Sequence, residues 1–257
     1  MRIGAYQFAV TGNIESNYHG IQNGLQQAVQ NNVEFLIFPE CALTGYPPHD
    51  IEKASSVDFH RLDSIYEDLQ SIADKHALYI IVGSIENIDG LCYNSALLFA
   101  PCCQRQVYHK RALWGWDRDN FCKGQKQGVF DVNGWQIGIR ICFEVRFPEF
   151  FRELYQEDTD LNVILFYDVS AQNSLDRYDL IKAHVRTRAV ENVTYTLTVN
   201  ACSPYQTAPT MLCDRSGYTL KELIRNKEGL LIFDLSKEEM NFGEQGRKEI
   251  SDCLTKG

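Results

Sequence analysis

Cys142 is the residue whose type and position most suggest chemistry, because it directly follows a predicted β-strand. The preceding segment, Gln136–Ile141, alternates in polarity and is rich in β-formers, which predicts a strand with one apolar face. Pro148 suits the first turn of a helix, and we expect a helix over Pro148–Glu157. A thiol between a strand end and a helix can act as a nucleophile, since nearby backbone N–H groups can hold an oxyanion. Free cysteine is also among the most buried residue types, so a packed core thiol is the competing interpretation.

Hydrolysis of an amide or nitrile by a thiol needs further groups, and two charged residues are candidates. The reaction requires a base for the thiol proton, a cation or N–H donor for the oxyanion and an acid for the leaving amine. Glu40 follows the short apolar segment Val33–Phe38 and a proline, where desolvation can raise the pKa of its carboxyl group. Lys110 follows the predicted strand Arg105–Tyr108. Taken singly, each is more simply interpreted as a solvated charge near a sheet edge.

The sequence around Cys142 resembles the nucleophile segment of the nitrilase (carbon–nitrogen hydrolase) superfamily. That segment usually reads Cys-Tyr-Asp-x-Arg-Phe-Pro-Glu, and this chain has Cys-Phe-Glu-Val-Arg-Phe-Pro-Glu. Phe143 and Glu144 therefore stand where the family has a tyrosine and an aspartate, whereas the run Arg146–Glu149 is identical.

The two charged candidates also lie in segments that are similar to motifs of this family. Glu40 belongs to Phe-Pro-Glu-Cys-Ala-Leu-Thr-Gly-Tyr, which fits the family form Phe-Pro-Glu-x-x-x-x-Gly-Tyr. Lys110 belongs to Tyr-His-Lys-Arg-Ala-Leu, where the family has Tyr-x-Lys-x-His-Leu, so Ala112 replaces a histidine. Further along, Arg188–Asn192 matches Arg-Ala-x-Glu-Asn, and Cys213–Gly217 corresponds to an Asp-Pro-x-Gly turn with arginine in place of proline.

The resemblance implies both a fold and a mechanism. The implied fold is α/β, a four-layer αββα sandwich of the nitrilase type, with mixed β-sheets covered by helices in a single domain over residues 1–257. The implied catalytic residues are Glu40 as base, Lys110 as oxyanion-stabilising cation and Cys142 as nucleophile, with the N–H of Phe143 as a second oxyanion donor. The implied reaction is hydrolysis of a small amide, ω-amide or carbamoyl compound through a thioester, without a cofactor. Acyl or carbamoyl transfer and nitrile hydrolysis with the same three residues stay open.

Two segments are expected to shape the substrate pocket. Many members of the superfamily carry a second glutamate in the loop after the lysine, and the best match here is Asp117, with Asp119 as its rival. Trp116 lies beside Asp117 and is expected to contribute an aromatic surface. Many members also have a Trp-Pro pair after the later buried strand. Ser170 lies at that point in this chain, which should leave the pocket open there.

The composition restricts the class of protein. The chain has 257 residues, of which 44% are hydrophobic and 23% charged, with a net charge of −9. An acidic protein of this kind is not expected to bind nucleic acid or an anionic membrane surface. The nine cysteines are an odd number and show no C-x-x-C pair, and the six histidines lack ligand spacing, so reduced thiols and no metal site are expected. The N-terminal segment does not look like a targeting peptide and no apolar run could span a bilayer, so we expect a cytoplasmic protein.

The remaining pattern alternates helices and strands, which favours one mixed α/β arrangement. Asn133-Gly134 lies between the β-rich segments Val129–Val132 and Trp135–Ile141, which predicts a hairpin. Lys110–Gly128 lacks periodicity and is predicted to be a long functional loop. Amphipathic helices are predicted over Asn17–Asn31, Asp58–His76 and Leu175–Asn192. The last strands are predicted at Met211–Cys213 and Leu230–Leu235.

Two hypotheses from other functional classes remain. A catalytically silent binding protein could share the fold. A thiol probe would distinguish the two, because a nucleophilic Cys142 of low pKa should react faster than the other eight cysteines. A papain-like Cys–His hydrolase would use His109 or His184, but its local signature around the cysteine is missing. A homodimer or higher oligomer is expected from the resemblance and from the helix Leu175–Asn192, whose apolar face must pack near the nucleophile.

Overall fold

Two six-stranded β-sheets lie face to face, with helices on their outer surfaces, in the computed structural model, which describes residues 1–255. The strands are β1 (Arg2–Gln7), β2 (Phe35–Ile37), β3 (Tyr79–Ile88), β4 (Leu91–Phe99), β5 (Gln106–His109), β6 (Val129–Val132), β7 (Trp135–Ile141), β8 (Leu161–Phe166), β9 (Val169–Ser170), β10 (Tyr195–Asn200), β11 (Tyr205–Gln206), β12 (Met211–Cys213), β13 (Thr219–Glu222) and β14 (Gly229–Asp234). The α-helices are α1 (Ile14–Gln30), α2 (Phe59–His76), α3 (Trp116–Asn120), α4 (Pro148–Gln156), α5 (Leu175–Asn192) and α6 (Phe242–Thr255).

The centre of each sheet is parallel and its outer strands are antiparallel. The first sheet has the order β14-β1-β2-β3-β4-β5, and the second has β13-β12-β10-β8-β7-β6. Strands β1, β2 and β3 run parallel in the first sheet, as do β7, β8 and β10 in the second. The carboxyl ends of parallel strands meet at one edge of a sheet, where ligand sites of α/β proteins usually form. Residues that follow β7 and β8 in the second sheet are therefore neighbours, and Glu40, just beyond β2 of the first sheet, donates its N–H to the carbonyl of Phe166 at the end of β8.

Apolar side chains fill the spaces between four layers. Ile3 and Ile37 of the first sheet and Ile139 and Val163 of the second belong to one buried cluster between the sheets. A second cluster joins the first sheet to α1 and α2, and a third joins the second sheet to α4 and α5. The layers are therefore helices, sheet, sheet and helices. This arrangement confirms the predicted αββα sandwich.

Strand β7 shows how alternation builds these layers. Ile137 and Ile139 point into the space between the sheets. Gly138 faces α4 instead, and a Cβ atom there would lie 2.6 Å from a methyl carbon of Leu154. Glycine thus lets α4 pack directly against the strand that carries the candidate nucleophile.

Several predicted elements are confirmed and others are wrong. The hairpin forms with φ values of 51° at Asn133 and 78° at Gly134, and α5 has the predicted bounds. The predicted loop Lys110–Gly128 contains the short helix α3, which is too brief to show an apolar repeat. Strand β13 and helix α6 were not predicted, and α6 buries only Glu244 among its described residues. One domain over residues 1–257 stays a prediction, and its last two residues lie outside the described chain. No helix within residues 1–255 is long and apolar enough to cross a membrane.

Candidate active site

The three predicted catalytic residues come from separate segments and meet at one edge of the sandwich. Lys110 directly follows β5, Cys142 directly follows β7, and Glu40 lies just beyond β2. The Lys110 ammonium donates a hydrogen bond to Glu40 Oε1 over 2.8 Å. The charges of both residues act on the thiol of Cys142. The structure therefore brings together the base, cation and nucleophile that the sequence suggested.

Hydrogen bonds at the ends of both sheets position the glutamate and the lysine. Lys110 N–H donates to the Asn94 carbonyl at 2.8 Å, and the Asn94 side-chain amide donates to Glu40 Oε1 at 2.7 Å. Glu40 N–H donates to the Phe166 carbonyl at 3.3 Å, and Tyr167 N–H donates to Glu40 Oε2 at 2.8 Å. The Glu40 carboxylate is thus held by residues of both sheets, at the seam between them.

Asp117 provides a second carboxylate for Lys110. Its Oδ2 lies 2.8 Å from the lysine ammonium, and its Oδ1 accepts a hydrogen bond of 2.5 Å from the Tyr46 hydroxyl. The first turn of α3 buries Asp117, which is 3% exposed, and leaves Asp119 exposed to solvent. The sequence left both aspartates open. The structure favours Asp117, whose shorter side chain still reaches Lys110 by direct contact.

Burial and mutual attraction determine the charge states of the cluster. Glu40 is 1% exposed and Lys110 is 2% exposed. Burial lowers the pKa of Lys110, but the Glu40 and Asp117 carboxylates outweigh it and hold that pKa well above its ordinary value. Burial raises the pKa of Glu40, although the Lys110 charge opposes the rise. The cluster therefore combines a permanent cation with a carboxylate that takes up a proton more readily than an exposed glutamate.

Burial and the nearby carboxylates favour the neutral thiol of Cys142, the candidate nucleophile. Burial, followed by the Glu40 carboxylate, holds the pKa of Cys142 well above its ordinary value, although Lys110 acts in the opposite direction. The expectation of a low-pKa thiolate is therefore wrong, because burial and the nearby carboxylates outweigh the lysine. A base must take the thiol proton before or during attack.

Glu144 holds the turn that carries Cys142, and no motif of the sequence singled it out. Cys142 begins a 3₁₀ turn with φ 46°, a left-handed conformation uncommon for a residue with a side chain. Glu144 is fully buried, and its Oε2 accepts from Ile141 N–H at 2.7 Å. Its Oε1 accepts from Arg111 N–H at 2.7 Å and from the Tyr108 hydroxyl at 2.8 Å. The carboxylate therefore ties the nucleophile turn to the end of β5. The signal in the sequence was an acidic residue inside the apolar run Ile-Cys-Phe-Glu-Val.

Arg188 supports the same turn from α5. Its Nε donates to the Val145 carbonyl at 2.9 Å, and its Nη1 lies 2.6 Å from Glu191 Oε1. The Arg-Ala-x-Glu-Asn segment of the sequence therefore contributes to the position of the nucleophile through the backbone of the turn.

The predicted pocket residues lie at different distances from the charge cluster. Trp116 is 53% exposed, and its ring meets the His49 ring edge-on with 4.8 Å between centroids. Phe143 directly follows the nucleophile, and its ring packs on a neighbouring phenylalanine at 5.1 Å. Ser170 belongs to β9, which pairs with β11 through Tyr205 in a small ribbon. The described hydrogen bonds of Ser170 do not join it to the cluster, and the predicted opening of the pocket at that point stays a prediction.

Two stacked tyrosines lie beside the charge cluster, and neither was predicted as a pocket residue. The rings of Tyr46 and Tyr167 stack with 5.1 Å between centroids. The Lys110 ammonium lies 5.9 Å from the centroid of Tyr46. Tyr46 belongs to the Gly-Tyr end of the glutamate motif, which was a usable signal. Tyr167 follows β8 and is identified only by its position in the fold.

The histidines do not form a Cys–His pair within residues 1–255. His109 Nε2 lies 3.0 Å from Glu86 Oε2, and its ring stacks on Tyr93. His184 lies within α5 and has no hydrogen bond to Cys142 among the described contacts. Across the same residues, no group of three or more histidine, cysteine, aspartate and glutamate side chains is arranged to hold a metal ion.

Comparison with known proteins assigns the family. The sequence profile of the carbon-nitrogen hydrolases matches residues 2–242, and the chain belongs to that family. A deaminated glutathione amidase from Dictyostelium discoideum is 23% identical over 91% of this chain and 87% of its own length. A second, from Synechocystis sp., is 26% identical over 75% of this chain and 74% of its own. The protein is thus an enzyme of the class that hydrolyses carbon–nitrogen bonds other than peptide bonds.

Solved structures agree with the fold. An amidase from Nesterenkonia sp. AN1 superposes with a TM-score of 0.80 at 22% identity, over 92% of this chain and 93% of that one. A variant of the same amidase binds butyramide, with a TM-score of 0.80 at 22% identity over 91% and 90% of the two chains. Another variant carries the acetamide moiety of fluoroacetamide on its active-site cysteine, with the same TM-score, identity and coverage.

Proposed function

We propose that this protein is a cysteine-dependent amidase that releases ammonia or an amine from a small amide through a thioester. The observation that carries the proposal is the buried cluster of Glu40, Lys110 and Asp117 beside the Cys142 thiol. Burying one cation between two carboxylates costs desolvation free energy and adds little to stability. Such a cluster is therefore better explained by a function than by stability. A carboxylate of raised pKa, a permanent cation and a thiol are the groups that amide hydrolysis by cysteine requires.

Glu40 acts as the base in the first step. It takes the proton of the Cys142 thiol while the sulfur forms a bond to the carbonyl carbon of the amide. The raised pKa of Glu40, which burial produces, improves its match to this transfer. The carbonyl oxygen becomes an oxyanion, and Lys110 and the N–H of Phe143 stabilise it. Phe143 is the second residue of a 3₁₀ turn, where N–H groups have no acceptor inside the turn.

The same carboxyl group serves the later steps. Glu40 returns its proton to the leaving nitrogen, the carbon–nitrogen bond breaks, and the acyl group remains on sulfur as a thioester. Water then attacks the thioester while Glu40 takes a proton from it, and the acid leaves as the thiol is restored. Asp117 keeps Lys110 charged and fixed during both half-reactions. These steps use only side chains of the protein.

The substrate class is a small amide, including ω-amides and carbamoyl compounds. Amidases among the relatives and a butyramide complex among the structural neighbours support this class. Acyl or carbamoyl transfer differs only in the group that accepts the acyl chain from sulfur, and nitrile hydrolysis differs in the first substrate. We further propose that the enzyme works in the cytoplasm, because all nine cysteines are free thiols, as suits a reducing compartment.

An acyl-enzyme experiment tests the proposal. The protein is mixed with a panel of small amides, and the intact mass is followed for an adduct together with ammonia release. We expect an adduct on Cys142 and a loss of turnover in Cys142→Ala with the fold retained. The half-buried Cys122 provides a matched control in Cys122→Ala, which should stay active. Retention of more than about one hundredth of the activity in Cys142→Ala would contradict the covalent mechanism.

We also propose that the protein forms a homodimer or a higher homo-oligomer. Leu175 and Leu180 of α5 and Ile250 and Leu254 of α6 are exposed. Exposed apolar side chains on packed neighbouring helices are typical of surfaces that associate. Light scattering at micromolar concentration should give a multiple of the 29.5 kDa chain mass. A monomer mass under those conditions would refute the proposal.

A further inference from the structure

An ion pair at the edge of the site has no part in the reaction described above. Asp168 follows Tyr167, whose N–H binds the Glu40 carboxylate at 2.8 Å. Strand β8 runs parallel to β7, with Leu165 opposite Ile141, the residue before the nucleophile. Asp168 therefore emerges from the same edge as Cys142, on the neighbouring strand. Its partner in the pair is Arg177, in the first helical turn of α5.

Asp168 is held in place by hydrogen bonds to both its backbone and its side chain. Its side chain is 8% exposed, and its N–H donates to Asn200 Oδ1 at 2.9 Å. Its carbonyl accepts from Thr207 N–H at 2.9 Å and from the Asn200 amide at 2.8 Å. The Thr207 hydroxyl also donates to the Asp168 carboxylate. Both the backbone and the side chain of this aspartate are thus immobilised by neighbouring strands.

One edge of the Arg177 guanidinium binds Asp168, and the other edge faces away from that carboxylate. Its Nε and Nη2 each donate to the Asp168 carboxylate at 3.0 Å. The side chain is 48% exposed, and Nη1 has no hydrogen-bond acceptor in the described part of the chain. The Asp168 hydrogen bond raises the pKa of Arg177, so the guanidinium stays charged. A guanidinium with a free edge is suited to binding a carboxylate with two hydrogen bonds.

The position of Arg177 is not explained by helix stability. A cation in the first turn of a helix opposes the helix dipole, which favours anions at that end. The neighbouring charge cluster is acidic, since Glu40 and Asp117 share a single buried lysine. An anionic substrate would be repelled from such a site unless a cation at its edge received the negative group.

We propose that Arg177 binds a carboxylate of the substrate, so that the amide hydrolysed at Cys142 carries an acidic group at the far end of its acyl chain. This inference rests on the proposed amidase function and specifies its substrate class. Asp168 acts as the positioning residue that aims the guanidinium. Arg177 discriminates through substrate binding and takes no part in proton transfer.

Three amides with the same four-carbon chain test the inference. Succinamate ends in a carboxylate, butyramide in a methyl group and 4-aminobutanamide in an ammonium group. We expect the wild type to prefer succinamate in kcat/KM. Arg177→Met should lower kcat/KM for succinamate by about ten- to a hundredfold, mainly through KM, because a charged hydrogen bond is lost. Its kcat/KM for butyramide should change by less than about twofold, because butyramide has no carboxylate for Arg177 to bind.

Arg186→Met is the matched control. Arg186 lies on the same helix, and its Nε donates to the Gly217 carbonyl at 2.8 Å. This variant should keep the preference for succinamate. Equal losses for succinamate and butyramide in Arg177→Met would show a structural role and overturn the inference. A wild type that prefers butyramide or 4-aminobutanamide would overturn it without reference to any variant.

Binding measurements test the carboxylate site independently of the proposed amidase function. Calorimetry with Cys142→Ala measures the affinity of the three amides without turnover. Tighter binding of succinamate that disappears in the Cys142→Ala, Arg177→Met double variant supports the carboxylate site even if no amide is hydrolysed. Hydrolysis of all three amides with equal affinities would support the amidase and overturn the role of Arg177.

Discussion

Two buried glutamates lie near the candidate nucleophile Cys142 and differ in the groups that they bind. Glu40 is 1% exposed and Glu144 is fully buried. Glu40 accepts hydrogen bonds from the charged Lys110, from the Asn94 amide and from one backbone N–H. Within residues 1–255, Glu144 accepts hydrogen bonds from neutral groups alone, which are the Tyr108 hydroxyl and the N–H groups of Arg111, Ala112 and Ile141.

The different donors of Glu40 and Glu144 suit the two carboxylates to different roles. A carboxylate has about four acceptor positions. Glu144 accepts three donors on Oε1 and one on Oε2, all neutral and all from the segments around Cys142, so it is suited to fixing the geometry of the turn. Glu40 receives three donors and keeps a position free on Oε2. Burial raises the pKa of Glu40, and this group is therefore the one suited to proton transfer.

The largest effect is expected for Glu40→Gln. An amide has nearly the same shape as the carboxylate but cannot take the thiol proton. We expect kcat to fall by about 10²–10⁴-fold, the usual contribution of a general base. Ammonia release measures the loss, and circular dichroism verifies the fold. Activity within about tenfold of the wild type would show that another group acts as the base.

Glu144→Gln should have a smaller effect on rate and a clear effect on stability. The new NH₂ group must face an N–H or O–H donor, which leaves a buried donor unpaired and costs about 1–3 kcal/mol in the free energy of unfolding. A displaced Cys142 should lower kcat by about ten- to a hundredfold with little change in KM. Urea unfolding and steady-state kinetics measure the two effects. Glu149→Gln, on the exposed start of α4, is the control and should alter neither.

Asp117→Asn should lower kcat by about tenfold, because Lys110 loses one of its two carboxylates and is less firmly oriented. Asp117 is buried, so some loss of stability is also expected. Asp119→Asn should stay within about twofold of the wild type in both measurements, as is usual for an exposed position. Equal kinetics for wild type, Asp117→Asn and Asp117→Ala would remove the second carboxylate from the mechanism.

The sequence predicted the parts of the site that lie in contiguous motifs. Glu40, Lys110 and Cys142 each stand in a segment with its own pattern, and alternation located the strands that carry them. Glu144 was not selected, because three of its four donors, on Tyr108, Arg111 and Ala112, lie 32 to 36 residues earlier in the sequence. Arg177 was not selected, because its partner Asp168 is placed by the end of β8 and belongs to no motif of the sequence. The thiol pKa was predicted in the wrong direction, since the balance of burial and four nearby charges depends on packing.

The smallest expected effect is a shift in the pH dependence of the rate. Glu40 must be ionised in the free enzyme to accept the thiol proton. Burial raises its pKa, Lys110 lowers it and Asp117 raises it again. The value of kcat/KM should therefore fall as pH decreases. The midpoint of this acid limb of the pH profile should lie above the ordinary glutamate pKa of about 4.3.

The two variants at the other carboxylates should move this limb differently. Asp117→Asn removes a negative charge that raises the pKa of Glu40, so the acid limb should move to lower pH, by about one unit or less. Glu144→Gln should lower the rate at every pH and leave the limb in place, because Glu144 binds neutral groups and has no hydrogen bond to Glu40 among the described residues. A pH–rate profile of kcat/KM for the three proteins measures both shifts. If the limb moved in Glu144→Gln and not in Asp117→Asn, the roles assigned to the two buried glutamates would have to be exchanged.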